Sequence, residues 1–529
     1  MKNRLSLLII FFQLTQLVVW ANNIDTGWIK FKQPDGTEFI GRSWGDEFEF
    51  YSETQDGFRF VKNYRTGYWC YATLASQGNF EPTKLKVGID DPVKYGLIKE
   101  LSFAGHQQEL IEQKRKEFAK ELTKIREEMA KNKQPLMTTR NIWVDLVLVE
   151  FQDVRHDPAY TNQHFNTMFA SNDVYEGTII HPDGKPVFGS VRDYWEEMTF
   201  NDVIITGAVW NPAGWILLDY DKIHYDTTDA FVNDVNIKSG YPLGDLNSNH
   251  LRAYIYAGNE YAEGSGLHPR LIPNGYMMAA EFSRPQGPGS DDWQTNFLGN
   301  IGTHCHELGH AAFGLGDRYY APGDFNHWGL MAIGNENGPL DECACPATLN
   351  PYDRQQEGWL SIIPFSGIEF NKSFQYNYYS PQVYQVQVRS NEFFLIENRQ
   401  SWCNATDTFD EYLPWHPDEG GLLVWHKRST GVLDLIEADN SNSEGVGEQG
   451  DQFPGTTDNR FLNDFTSPNV KLTNGTNSQI TIHNISDAGI TMYADLGIGW
   501  FGNIPYSLTW QNNIEIGGDV TVPAATTLT

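Results

Sequence analysis

Two histidines four residues apart, with a glutamate beside the first, stand in THCHELGHAAFGLGDRY, residues 303–319. On a helix, positions four apart share a face, so His306 and His310 can turn two imidazoles toward one divalent ion. Neutral imidazole suits zinc. Glu307 is placed to take a proton from a zinc-activated water and later to give one to a leaving amine. Zinc would bring the pKa of that water to about 7 and polarise a carbonyl. The chemistry implied is hydrolysis of a peptide bond. Without a metal, the segment would be an ordinary helix with His and Glu in polar roles, because a pattern this short also arises by chance.

Two histidines alone do not hold a catalytic zinc, so a third protein ligand is required. Asp317 follows FGLG, where glycines let the chain double back toward the helix. Glu336, in IGNENGP, is the alternative, at a spacing that suits a glutamate ligand from a second helix. Its neighbours Asn335, Asn337, Gly338 and Pro339 make a turn there instead. Asp317 is the favoured ligand.

The elements that must position these groups can be read from the surrounding chain. The motif helix is expected over residues 295–313, led in by the apolar NFLGNIG. Before it, NIWVDLVLVEFQDV reads as a buried strand. GSVRDYWEEMTFNDVIITGAVW reads as a helix capped by Ser190 followed by a strand. LRAYIYAG and GYMMAAEF are further strands. Residues 139–365 therefore form the expected catalytic domain, of α/β or α+β type, with α+β the class expected for the whole chain. Residues 22–138 are expected to be a β-rich module of short aromatic strands, closed by an exposed helix with charges of both signs over 106–133. Residues 366–500 read as a β-rich C-terminal domain, interrupted by an acidic loop over 434–469. Residues 501–529 begin a further alternating pattern, either the start of another β module or a mobile tail.

The chain has 529 residues, enough for two to four domains. Its 68 Asp and Glu outnumber 38 Lys and Arg, a balance that repels nucleic acid and anionic membranes. Residues 1–21 have a basic start, an apolar run and a small residue, Ala21, the layout of a cleaved secretory signal. Polar Gln13, Thr15 and Gln16 interrupt that run, and no later stretch reads as membrane-spanning. A secreted, extracellular protein acting on proteins or peptides is the expectation. The five cysteines are an odd number, so at least one is unpaired within the chain, and the pairing of the others is not readable.

HELGHAAFGLGDRY followed by HWGLMAIGN resembles the metzincins, in which a glycine turn, a third ligand and a methionine-bearing turn follow HExxH. Within that clan the chain resembles the immune inhibitor A family of secreted zinc metallopeptidases. PDGTEF, GDEFEF, ETQDGF, VLVEFQDV and SVRDYW carry the likeness before the motif helix. LMAIG, PYDRQQEGWL, FFLIENRQ, GGLLVWH, IEADN and GDQFPG carry it afterwards, so that it spans roughly residues 28–497. The resemblance implies a metzincin-like fold, an endopeptidase with an N-terminal propeptide, zinc, and structural calcium. By position it makes His306, His310 and Asp317 the zinc ligands, Glu307 the general base, and Met331 the methionine beneath the metal. The family reads HExxHxxGLPDxYD. Here Phe313 holds the glycine's place, Gly314 comes one residue late, and so does Asp317. One extra residue turns a helix by about 100°. It has to be absorbed between Ala311 and Gly314, as a bulge in the last helical turn. A chain that failed to absorb it would be a peptidase-like protein that binds surfaces or glycans through its β-rich parts without catalysis.

Other residues carry weaker signals. His304 faces away from His306, toward the surface or a supporting hydrogen bond. Cys305 reads as a small packing residue. Met331 would be plain core without a metal above it. Ile333 stands where some metzincins carry a tyrosine, and Tyr319 and Tyr320 read as packing. Cys70, in GYWCYA, reads as buried or disulfide-bonded rather than as a thiolate that caps zinc. His426 reads as a core or edge histidine. Asp439, Asp451 and Asp458 are possible calcium donors in a loop without EF-hand spacing. Asn371, Asn404, Asn474 and Asn484 each begin an N-x-[ST] sequon.

Overall fold

A computed structural model describes residues 24–503 and 516–521, apart from 132–138, 181–185, 260–266, 284–296, 319–325, 402–408, 411–419, 441–449 and a few shorter stretches. The expected signal segment 1–21, Cys403, Asn404, Tyr319 and Tyr320 lie outside the described residues. The class is α+β, with six α-helices and several sheets among the described residues. No described helix is long and apolar enough to cross a membrane.

The central sheet is built on Arg140–Glu150 (β1). From Leu146 to Val149 its apolar run has no polar face, as expected of a strand covered on both sides. Ile142, Val144, Leu146 and Leu148 enter the largest core, while Val147 and Val149 enter a second core on the opposite face. Val203–Val209 (β2), His250–Asn259 (β3), Arg270–Ile272 (β4) and Tyr276–Ser283 (β5) complete the order β2-β1-β3-β5-β4. β2, β1, β3 and β5 run parallel, and β4 is antiparallel at the edge.

Six helices follow in chain order: α1, Gly105–Lys131; α2, Asn162–Ala170; α3, Val191–Met198; α4, Thr228–Ser239; α5, Ile301–Phe313; and α6, Pro351–Glu357. α3 begins at Ser190, whose side chain accepts from the Asp193 amide while Asp193 returns a bond to the Ser190 amide. α5 starts at residue 301, not 295, because Phe297–Leu298 pairs with β5 as a short strand. Ile301, Cys305, Leu308 and Ala312 form its core stripe, which leaves His306 and His310 on another face.

α1 departs from the exposed helix expected. Phe118, Leu122 and Ile125 line one face at helical spacing and join the same core as α5. The β module before it has its own core of Phe39, Phe58, Phe60, Tyr71 and Val87. Phe48 bridges from that module to the Phe118 ring, 5.8 Å away.

The C-terminal part is rich in strands. Ser361–Phe365, Gln382–Arg389, Glu392–Gln400, Gly420–Lys427 and Leu433–Ile436 form a five-stranded sheet. One face of it, with Val386, Phe394, Ile396 and Val424, packs on a second sheet through Ile480, Ile482, Met492 and Leu496. The other face, with Leu395, Leu423 and Trp425, packs on Trp328 and Ala332. The segment expected as an acidic loop is partly core, since Phe453 and Leu462 are buried in the sandwich.

Candidate metal centre

His306 and His310 lie one turn apart on α5, both without solvent exposure. His306 Nε2 and His310 Nε2 are 3.1 Å apart, and each is 3.1 Å from Asp317 Oδ1. The three atoms form an equilateral triangle. Donors around one tetrahedral zinc, at bonds of about 2.0–2.1 Å, stand roughly 3.3 Å apart. The triangle is thus near the size one such ion requires. The far ring nitrogens are also committed. His306 Nδ1 lies 2.9 Å from Leu330 O, and His310 Nδ1 lies 2.6 Å from Leu315 O. A carbonyl can only accept, so each Nδ1 carries the hydrogen and each Nε2 presents its lone pair to the centre. Both oxygens of Asp317 are buried with no hydrogen-bond donor among the described residues. Leaving a carboxylate so would cost several kcal/mol, on the order expected for a buried unpaired charge, and a cation between these donors removes that cost. The donor set fits zinc.

Asp317 reaches this position through an altered helix end. Gly314, at φ +65°, leaves α5 in the left-handed region, and its amide donates to His310 O at 2.8 Å. The Leu315 amide then reaches back six residues to Gly309 O, at 3.0 Å. This widened turn sends the chain back toward the two histidines. Phe313 is anchored edge-on to Trp359 at 4.9 Å and against Trp195 at 4.5 Å. The Arg140 guanidinium covers the Phe313 ring and donates to Ala312 O at 3.2 Å, closing the C-terminus of the helix.

The turn beneath the centre binds both halves of the ligand set. Leu330 O receives His306, and Met331 O receives the Arg318 amide at 2.7 Å, directly after Asp317. Trp328 holds this turn from below. Its Nε1 donates to Asp451 at 2.7 Å and its carbonyl accepts from Arg399 at 3.1 Å. Met331 is fully buried, against Gly309 of α5. Glu307 is also fully buried, beside His306. From α1, the Phe118 ring meets His310 edge-on at 5.4 Å.

No protein-family model matches this chain, and no curated protein matches it significantly.

The remaining candidates fall elsewhere. Glu336 ends a 3-10 turn, Ile333–Glu336, and is not among the residues gathered here. His304 is not at the surface, nor does its Nδ1 find a hydrogen bond among the described residues. It packs on Phe169 at 5.6 Å, and burial pushes its pKa down to about 4. Cys305 is buried, and burial raises its thiol far above the usual range, so it is inert packing. Cys70 is buried in the strand Trp69–Leu74, and its thiol is likewise raised, first by burial. His426 is a core histidine, 3.0 Å from Glu392 and stacked on Phe394. Its pKa falls to about 4, chiefly through burial. Asp439 and Asp451 gather with Glu437, their oxygens within 4.8 Å of one another. Asp458 instead pairs with Arg460. The two histidine-binding carbonyls and Arg318 carry no sequence signal. Gly309, inside the motif itself, was the one readable sign that something presses on the helix.

Proposed function

We propose that this chain is a secreted zinc-dependent endopeptidase of metzincin type, related to the immune inhibitor A family. The observation that carries the reading is the triangle of His306 Nε2, His310 Nε2 and Asp317 Oδ1, with both Nδ1 atoms bound to carbonyls. His306, His310 and Asp317 would hold the zinc. Zinc, when bound, supplies an acidified water and a Lewis acid for the scissile carbonyl. Glu307 takes the proton of the attacking water on its carboxylate and returns it to the leaving amine nitrogen. Its burial beside His306 keeps bulk water from competing for that proton.

α5 packs against β5 and β4. β4 is the last strand in the order of its sheet. An extended peptide can add to such an edge through its main chain, which favours peptide substrates over small esters. Glu437, Asp439 and Asp451 offer oxygen donors of the kind calcium takes, and Asp451 passes their position to Trp328 under the methionine turn. The excess of acidic residues argues against nucleic acid as a partner.

Glu307→Gln tests the mechanism. The variant is expected to keep about one zinc per chain and to lose nearly all hydrolysis of casein. Equal activity in variant and wild type would sink the reading.

A further inference from the structure

We propose that the Arg318–Asp353 pair is the clamp that holds Asp317 in the metal centre, which makes Arg318 a positioning residue for the third ligand. The inference rests on the zinc reading above. Each histidine of the triangle is steered by a bond from its far ring nitrogen. A carboxylate ligand is ordinarily steered the same way, by a donor to its free oxygen. Asp317 has none among the described residues: both of its oxygens are buried without a hydrogen-bond partner, and Oδ1 faces the two imidazole edges. Its aim must come from the main chain on either side.

On the N-terminal side Leu315 is tied to α5 through its amide and its carbonyl, but Gly316, which restrains the backbone least of all residues, stands between it and Asp317. On the C-terminal side stands Arg318, and it is held several ways. Its amide donates to Met331 O at 2.7 Å. Its guanidinium forks onto both oxygens of Asp353, through Nη2 to Oδ1 and through Nε to Oδ2. The Tyr352 ring lies 5.9 Å from the guanidinium carbon. Asp353 is itself immobile. It is buried in the first turn of α6, its amide donates to Asn350 Oδ1 at 2.9 Å, and Asn350 Nδ2 donates to its Oδ2 at 2.6 Å. Asn350 caps that helix and Pro351 opens it. A rigid line therefore runs from the start of α6, through the fork, to the residue next to the ligand.

Two variants separate a positioning role from a purely structural one. Arg318→Met keeps the stem and removes the fork. Arg318→Lys keeps the charge without the two-point geometry. Lys427, which also acts on Asp353, leaves that buried carboxylate at least one cation in either variant. Zinc affinity of the full chain is measured by competition with a chromogenic chelator, and the melting curve of the metal-free protein is recorded alongside. Cobalt(II) serves as a spectroscopic probe of the ligand geometry.

Arg318→Met is expected to bind zinc about 10–100-fold more weakly than wild type, with Arg318→Lys between them. Its cobalt spectrum should move toward that of Asp317→Ala, while the metal-free melting curve stays cooperative. Wild-type affinity and an unchanged cobalt spectrum in Arg318→Met would overturn the clamp and leave the zinc reading standing. A wild-type chain that takes up no zinc would overturn both. If metal-free Arg318→Met shows no cooperative transition, the comparison is read on Arg318→Lys, where wild-type affinity overturns the proposal and weakened affinity supports it.

Discussion

Gly309 and Met331 touch, helix backbone against thioether. A Cβ built on Gly309 would stand 2.6 Å from Met331 Sδ and 3.2 Å from its Cε. Two effects of Gly309→Ala oppose each other. Alanine favours the helix by about 1 kcal/mol. Overpacking a buried contact typically costs about 1–3 kcal/mol. Met331 is fully buried, and its carbonyl is tied to Arg318, so it cannot retreat freely. The clash is expected to win, with a net loss of about 1 kcal/mol and weaker zinc binding. Thermal melting with and without zinc checks this. A higher melting temperature in Gly309→Ala would mean that the methionine turn yields.

Metal removal should destabilise the chain by linkage. A ligand present at about 100 times its dissociation constant stabilises by about 2.7 kcal/mol. Chelation should therefore lower the melting temperature of wild type, and added zinc should restore it. Asp317→Asn keeps the shape of the side chain but not its charge, and is expected to abolish most of the zinc-dependent shift. Glu336→Gln should leave the shift intact, because Glu336 lies outside the gathered donors. Calorimetry on the three proteins decides it. A normal shift in Asp317→Asn would remove Asp317 from the ligand set.

The pair His306 and His310 was legible because helical periodicity alone puts both on one face. Asp317 was read as the favoured third ligand from the glycines before it, but its geometry was not legible. Its position depends on the bond from Leu315 to Gly309, a closure that spacing cannot reveal. Arg318 was invisible because its partner lies 35 residues away. The C-terminal strands were readable from their apolar runs. Which face supports the methionine turn was not, because Gly420–Lys427 is buried throughout and has no polar side to mark the outside. α1 was misread for the opposite reason. Charges crowd both flanks of a narrow apolar stripe, and three residues spaced over two turns were lost among them.

That stripe predicts where the N-terminal module can be removed. Phe118, Leu122 and Ile125 share a core with α5, and Phe118 meets His310. Each such side chain contributes about 1.5–3 kcal/mol when buried. A chain starting at residue 139 should therefore lose on the order of 5 kcal/mol and bind zinc poorly. A chain starting at residue 105 should keep both. The segment before α1 carries the exposed side chains Val93, Tyr95 and Ile98, so limited proteolysis is expected there first. Urea midpoints and zinc content of the two truncations check this. Equal stability would show that α1 is dispensable to the core.

Glu281, in β5, ties the loop after β1 and the C-terminal end of β3 together. Its oxygens accept from the Asp157 amide at 3.0 Å and the Gly258 amide at 3.1 Å. Burial pushes its carboxyl up to about 7, and the nearby Asp157 and Glu150 carboxylates add to the rise. Glu150 is itself paired with Arg155 and His156. A carboxyl raised in the folded state is most stabilising when protonated in both states, below its unfolded value of about 4.3. As pH climbs, the unfolded chain ionises first and the contribution drains away until the folded group ionises near 7. Wild type should therefore lose up to roughly 3 kcal/mol between pH 4.5 and 7 relative to Glu281→Gln, whose side chain does not titrate. Histidine and metal effects are common to both proteins and cancel in the difference. Urea unfolding of the pair at four pH values across that window measures it. Parallel curves would place the ionisation of Glu281 outside the window.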